Sequence, residues 1–200
     1  MATHDEHVAA LAHWYGRADE NVKAEGRAWY DASREIVREL AAPHHLPHDM
    51  VAASLAALSP MTRWTANVAG TIRLLHAYEH HLSRAPRNCT LFYKNAAKAW
   101  AILHGGNPWD LFDRSPKVFA FWRNLCGDEQ AVTVDTWMLR AVGEDVAASG
   151  GAKPAMVNRV SAAVRECAWK YGETPASFQA IVWVQIRREM AWFDTTKEGV

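Results

Sequence analysis

The segment Thr133-Val134-Asp135-Thr136-Trp137-Met138-Leu139-Arg140-Ala141-Val142 is the most informative stretch of the 200-residue chain for chemistry. It puts a carboxylate in the first turn of a helix, directly after an apolar residue that must be buried. An ionised carboxylate beside a low-dielectric pocket can stabilise positive charge developing on a substrate. The same residue can serve the fold alone, because an acid there complements the helix dipole and accepts from free amides. The histidines offer less. His76 and His80 stand at i, i+4 with Glu79 and His81 adjacent, and His44, His45 and His48 cluster in a loop. That spacing suits zinc, but the His-Glu-x-x-His order is absent and no third and fourth ligands follow, so no metal is expected. Cys89, Cys126 and Cys167 are odd in number and far apart. They argue against a disulfide framework, fit a reducing compartment and exclude a four-cysteine zinc or iron–sulfur cluster. Cys126 is expected to be a buried filler.

These residues must be carried by helices. Apolar positions recur at helical spacing through Val22, Trp29, Ser33, Ile36, Val37 and Leu40. They do so again through Trp64, Val68, Ile72, Leu75 and Leu82, and through Val118, Phe121, Trp122 and Leu125. Val134, Trp137, Met138, Ala141 and Val142 form another such face. Val157, Val160, Val164 and Ala168, then Phe178, Ile181, Val182, Ile186 and Met190, complete the set. Val8, Leu11 and Tyr15 suggest a further docking helix. No strand-type alternation of useful length occurs, so an all-α chain of eight to ten helices is expected. Ser115-Pro116 and Thr174-Pro175 each place a capping hydroxyl before a proline at the first helical position, and Pro154 opens a helix similarly. Residues 41–47, 104–108 and 147–151 read as loops.

Composition sets the outer bounds. Half the residues are apolar and 22 % are charged, which excludes wholesale disorder. No run approaches the length of a membrane span, and Met1 to His7 have neither a basic start nor an apolar core, so a cytoplasmic location is expected. Net charge is zero, but unevenly spread. Residues 1–60 carry 5 basic and 9 acidic groups, 61–127 carry 9 and 3, and 128–200 carry 8 and 10. The middle third is therefore a basic block of the kind that can grip a polyanion, or simply a set of charges on solvated faces. Most of the ten tryptophans lie on apolar stripes and are expected in the core. Trp64 and Trp109 lie near polar segments, where they can stack on a base.

Val134-Asp-Thr-Trp-Met-Leu-Arg-Ala-Val142 resembles the Val-Asp-Thr-His-hydrophobic-x-Arg-Val signature of the helix-hairpin-helix (HhH-GPD, endonuclease III-like) DNA glycosylase superfamily. In that family the aspartate of the motif is the catalytic carboxylate, so the resemblance implies that role for Asp135. Three more segments resemble the family in the same order. Val51 to Trp64 looks like its early helix and the polar turn that enters the duplex near the target base. Asp113 to Leu125 sits where the family has its hairpin and following helix, and Lys117 precedes Asp135 by the family's lysine-to-aspartate interval. Thr174 to Arg187 resembles its last core helix. The likeness spans roughly residues 47–190.

What the resemblance implies is concrete. The fold would be two helical lobes with a cleft between them, 47–130 forming a six-helix lobe and 1–46 with 131–200 the other. Double-stranded DNA would be the partner, contacted by Arg63, Trp64, Arg114, Ser115, Arg123 and Arg140, and no cofactor would be needed. A damaged or modified base would be flipped out and its N-glycosidic bond cut. The sequence also departs from the family. Phe112-Asp-Arg-Ser-Pro-Lys117 is one residue shorter than the family hairpin and lacks its glycines, Trp137 replaces a histidine, and the iron–sulfur loop is absent. Three roles stay open to Lys117: Schiff-base nucleophile, phosphate contact, or exposed lysine at a helix start. Two other functions stay open as well, a base-hypermodifying group transferase on the same fold, as related in some phage enzymes, and a non-catalytic DNA-binding protein.

Overall fold

Helix starts follow local chemistry. Thr3 accepts from the Glu6 amide while the Glu6 carboxylate accepts from the Thr3 amide, a reciprocal box that opens α1 (His4–Arg17). The Thr3 amide and the Thr3 hydroxyl both donate to the Glu6 carboxylate, at 2.7 and 3.1 Å, and hold its carboxyl below its ordinary range. Next come α2 (Glu20–Ala41), a single 3-10 turn (Ala42–His44), α3 (His48–Leu58), α4 (Trp64–Glu79), α5 (Tyr93–Leu103), α6 (Pro108–Leu111) and α7 (Pro116–Leu125). The chain ends with α8 (Thr136–Ala141), α9 (Pro154–Tyr171) and α10 (Pro175–Lys197). The structure, a computed structural model, describes residues 2–144 and 153–197, with side chains through Met190. The protein is all-α, with no strand among the described residues. The loop expected at 147–151 lies outside the described residues. No described helix is long and apolar enough to cross a membrane.

The chain clusters into two compact units, one from Met1–Asp31 with Asp128–Val200, the other from Ala32–Gly127. In the first unit α1 packs against α8, α9 and α10, burying Leu11 and Tyr15 against Phe178, Val160 and Cys167. The expected docking helix is therefore present. Tyr15 and Arg27 both donate to the Glu173 carboxylate, at 2.9 and 2.7 Å, tying α1 and α2 to the turn before α10. The two helix axes of α2 and α10 come close enough that a methyl group at Gly26 would lie 2.5 Å from the Ile181 Cα. Only glycine permits that approach.

In the second unit α3 is the centre. Every residue from Val51 to Ser59 is buried, so this helix has no polar face and is surrounded by α4, α5 and α7. The stripe predicted for α7 is the observed one, with Val118, Phe121, Trp122 and Leu125 all buried. The stripe predicted for α4 is not. Ile72 is exposed, Leu82 lies exposed beyond the helix end, and the buried face runs through Asn67, Gly70, Thr71, Leu74 and Leu75. The reason is steric. Gly70 backs onto the chain at Cys89, where an added methyl would stand 2.0 Å from the carbonyl oxygen. Small and polar residues, rather than large apolar ones, make that contact.

Candidate functional site around Asp135

The approach to Asp135 is held from below. Val132, Thr133 and Val134 are buried in a stretch that belongs to no helix. The Thr133 amide donates to Gln179 Oε1 (2.6 Å), and Gln179 Nε2 donates to the Tyr30 hydroxyl (3.0 Å). Burial, with smaller contributions from the Asp135 and Glu129 carboxylates, pushes the Tyr30 hydroxyl above its ordinary range. It therefore works as a neutral hydrogen-bonding anchor. A buried network satisfied in this way fixes a backbone position.

Asp135 itself is the N-cap of α8, one position ahead of the first-turn place expected for it. α8 is only six residues long, so Val134 precedes it and Val142 closes it, although both are buried. Asp135 Oδ1 accepts from the Met138 amide at 2.9 Å, and Oδ2 accepts from Trp183 Nε1–H at 3.1 Å. With one donor on each oxygen the carboxylate plane is fixed, and each oxygen keeps acceptor capacity. Asp135 is half-buried.

Aromatic and cationic groups surround it. Trp183 meets Trp29 edge-on, with ring centroids 5.5 Å apart. The Arg187 guanidinium lies 4.4 Å from the Trp183 ring and 5.9 Å from the Trp137 ring, and that of Arg140 lies 4.8 Å from Trp137. Trp183 and Arg187 were not among the residues expected at the site. Their i, i+4 spacing on α10 is an aromatic–arginine signal that the sequence does carry.

The remaining expected residues lie in the second unit. Lys117, half-buried at the second position of α7, donates to Ser59 Oγ at a long 3.4 Å. Ser59 ends α3 and begins the turn that leads to Arg63 and Trp64. Arg63 is exposed at the start of α4, and Trp64 meets Phe121 edge-on at 6.5 Å. Within that turn Met61 is 76 % exposed and has φ 59°, a left-handed backbone rare for a residue with a side chain. Arg114 forms a surface ion pair with Asp113 at 3.6 Å. Arg123 lies over Trp109 and Phe119, at 5.4 and 5.9 Å, so Trp109 is already stacked by a cation.

Two expectations here need correction. The Ser115 hydroxyl does not cap α7, whereas Thr174 does cap α10 by accepting from the Ser177 amide. Ser115 is held differently: its amide closes a turn onto the Phe112 carbonyl at 2.8 Å. Lys98 then donates to the Leu111 carbonyl at 2.8 Å and reaches Ser115 Oγ at 3.5 Å. A lysine from α5 thus braces the glycine-free turn. Cys126 is exposed rather than buried, closing α7. Local desolvation at its sulfur, with the Asp49 carboxylate, still pushes the thiol up to about 11.

Among the described residues no group of three or more His, Cys, Asp or Glu could hold a metal ion. The His76 and His80 rings stack on each other at 4.1 Å. A shallow hollow of about 370 Å3 in the first unit is lined by Gln130, Arg165, Trp169, Glu173 and Thr174, none of them an expected site residue.

Residues 1–190 match the model of a family of unknown function (DUF7178), and the chain belongs to that family. No curated protein and no solved structure matches it.

Proposed function

We propose that the protein is a base-acting enzyme on double-stranded DNA, of DNA glycosylase type, with Asp135 as its catalytic carboxylate. The observation that carries this reading is the setting of Asp135. A half-buried carboxylate, oriented by one donor on each oxygen, stands among indoles and guanidinium groups. A fixed carboxylate of this kind stabilises an oxocarbenium-like sugar without reorganising during the reaction. The C1′–N bond breaks with its electron pair passing to the base. Water adds at C1′, and its proton leaves to the base or to solvent. The two-lobed arrangement with a cleft admitting an everted nucleotide, and the relationship to the helix-hairpin-helix glycosylases, are parts of this proposal.

The second unit fits the DNA side of the reading. It holds the basic block, and its turn at 59–63 presents exposed Met61, an apolar side chain of the type that wedges between base steps. Lys117, whose amine faces the start of that turn, belongs with it to the DNA-facing set proposed for this unit.

The test is a screen of the purified protein against duplexes bearing modified or damaged bases, read as alkali-labile abasic sites. Base release that falls at least about 100-fold in Asp135→Asn, with DNA affinity kept, supports the reading. Modified base with an intact glycosidic bond would instead indicate group transfer. Borohydride trapping of a protein–DNA adduct assigns Lys117 as nucleophile, and release without an adduct leaves it a positioning role. One specific observation favours a non-catalytic DNA-binding protein, namely that Asp135 serves α8 as a cap. Under that reading Asp135→Asn leaves every DNA-dependent readout unchanged, since Asn caps as well as Asp.

A further inference from the structure

Arg140 and Arg187 share an unusual setting. Neither has a carboxylate partner among the described residues, although neighbours on α10 are ion-paired, Arg188 with Glu25 and Glu189 with Arg17. Instead both guanidiniums rest on indoles. Both carbons lie within 6 Å of the Trp137 ring centroid, and Arg187 also covers Trp183. Trp183 in turn donates to Asp135, and α8 joins Asp135 to Trp137 and Arg140. A guanidinium held over a ring face by cation–π attraction spends none of its five N–H donors on a carboxylate there and can offer them to an anion. Stacking also removes much of the rotamer freedom that an arginine otherwise loses on binding. Two such guanidiniums, with no carboxylate partner among the described residues, suit an anion with several oxygens. A carboxylate offers two oxygens to such a pair, whereas a phosphate offers more oxygens and more charge, so it satisfies two forks more fully.

We propose that Arg140 and Arg187 form a phosphate-binding pair, braced on Trp137 and Trp183, that holds a phosphate of the nucleic acid presented to Asp135. The inference deepens the DNA-processing reading and rests on it for the identity of the ligand. Arg187 is the new element: it comes from α10, and it joins the indole that orients Asp135 to the phosphate grip. Two sources share this chemistry, a phosphodiester of the DNA backbone and the phosphomonoester of a nucleotide.

The experiment measures binding of the full chain to a labelled DNA duplex across a sodium chloride series. Each guanidinium–phosphate contact contributes about 0.9 to the slope of log affinity against log salt. Arg140→Met with Arg187→Met keeps apolar stems on the indoles but removes both charges, and is expected to lower the slope by about 2. Arg140→Lys with Arg187→Lys restores the charge and the slope but not the full affinity, because a point charge lacks the planar fork. Helical circular dichroism confirms that both variants are folded. A parallel arm adds inorganic phosphate or thymidine monophosphate as competitor. A slope that falls in the double Met variant assigns the pair to the backbone, whereas an unchanged slope with competition lost in that variant assigns it to a phosphomonoester. If neither the slope nor the competition responds to the variants, the pair does not bind phosphate and the inference is overturned while the proposed reaction stands. Absence of DNA binding by the wild type overturns both. Base release is scored separately, so loss of the reaction alone leaves the phosphate site intact.

Discussion

Replacing Asp135 by Asn keeps shape and one acceptor while turning the other oxygen into a donor. Asn is as good an N-cap as Asp, so the amide oxygen is expected to stay on the Met138 amide. The NH2 group then faces Trp183 Nε1–H, a donor against a donor where 3.1 Å now separates a bonded pair. A hydrogen bond to a charged acceptor contributes about 1.5–3 kcal/mol, and half-burial lets water recover part of it, so a loss of about 1.5 kcal/mol is expected. Trp183→Phe removes the same bond from the other side, together with the ring under Arg187 and the edge contact to Trp29. With the indole donor gone, the amide at 135 meets no opposing group, and Asp135→Asn should cost only about 0.5 kcal/mol on top. The cycle therefore has a coupling energy of about 1 kcal/mol, read from urea midpoints of the two single variants and the double variant. Additivity within about 0.3 kcal/mol would show that the indole does not hold the carboxylate, and the positional argument for Asp135 would fail with it.

Two glycine substitutions should act in opposite directions. Gly70→Ala drives a methyl to 2.0 Å from the Cys89 carbonyl oxygen and should cost at least about 2 kcal/mol, whereas Gly16→Ala, with nothing within 4 Å, should add about 0.5–1 kcal/mol in the same denaturation assay. Stability should fall at alkaline pH. Cys167, buried, has its thiol pushed up to about 11, and Tyr15 and Tyr30 are raised above 10.0, so the folded state holds protons that the unfolded state releases. The stability these groups contribute is complete below pH 9, declines between about 9 and 11 for Cys167, and declines from 10 upward for the tyrosines. Thermal melts at stepped pH with tyrosinate absorbance report this, and a flat profile from pH 8 to 11 would contradict it. Met61→Gly relieves a left-handed φ of 59° and should raise stability by about 0.5 kcal/mol while weakening duplex distortion and base release. Equal activity in that variant would remove Met61 from the DNA-facing set.

How much of this was readable before the fold was known depends on what each position packs against. The α7 stripe was legible because Phe121, Trp122 and Leu125 are large, and large apolar residues at helical spacing have one place to go. The α4 stripe was misread because its buried face is made of Asn67, Gly70 and Thr71, which carry no hydrophobic signal. There the decisive term is how near the Cys89 backbone comes, and periodicity does not encode distance. Thr174 and Ser115 look alike in sequence, each a hydroxyl before proline, yet only Thr174 caps its helix. What separates them is Lys98, whose ammonium reaches Ser115 Oγ while binding the Leu111 carbonyl.

The candidate site shows the same division. Asp135 announces itself locally, as an acid at a helix start, and a cap is what the local chemistry delivers. Its second donor comes from a residue 48 positions away, and the Tyr30–Gln179–Thr133 chain beneath it spans 149 positions, from α2 to α10. A cap needs only one oxygen held. The second oxygen, held by an indole that is itself covered by an arginine with no acidic partner among the described residues, is more than stability at α8 requires. Indole, guanidinium and carboxylate are coupled through Trp183, so a ligand gripped by Arg187 and a substrate addressed by Asp135 would be placed by the same ring. That coupling gives the phosphate grip a consequence for chemistry. A variant that keeps charge at 187 but loses the stack should bind DNA with an unchanged salt slope, yet process the base more slowly, because the phosphate is held while the ring that aligns the carboxylate is not.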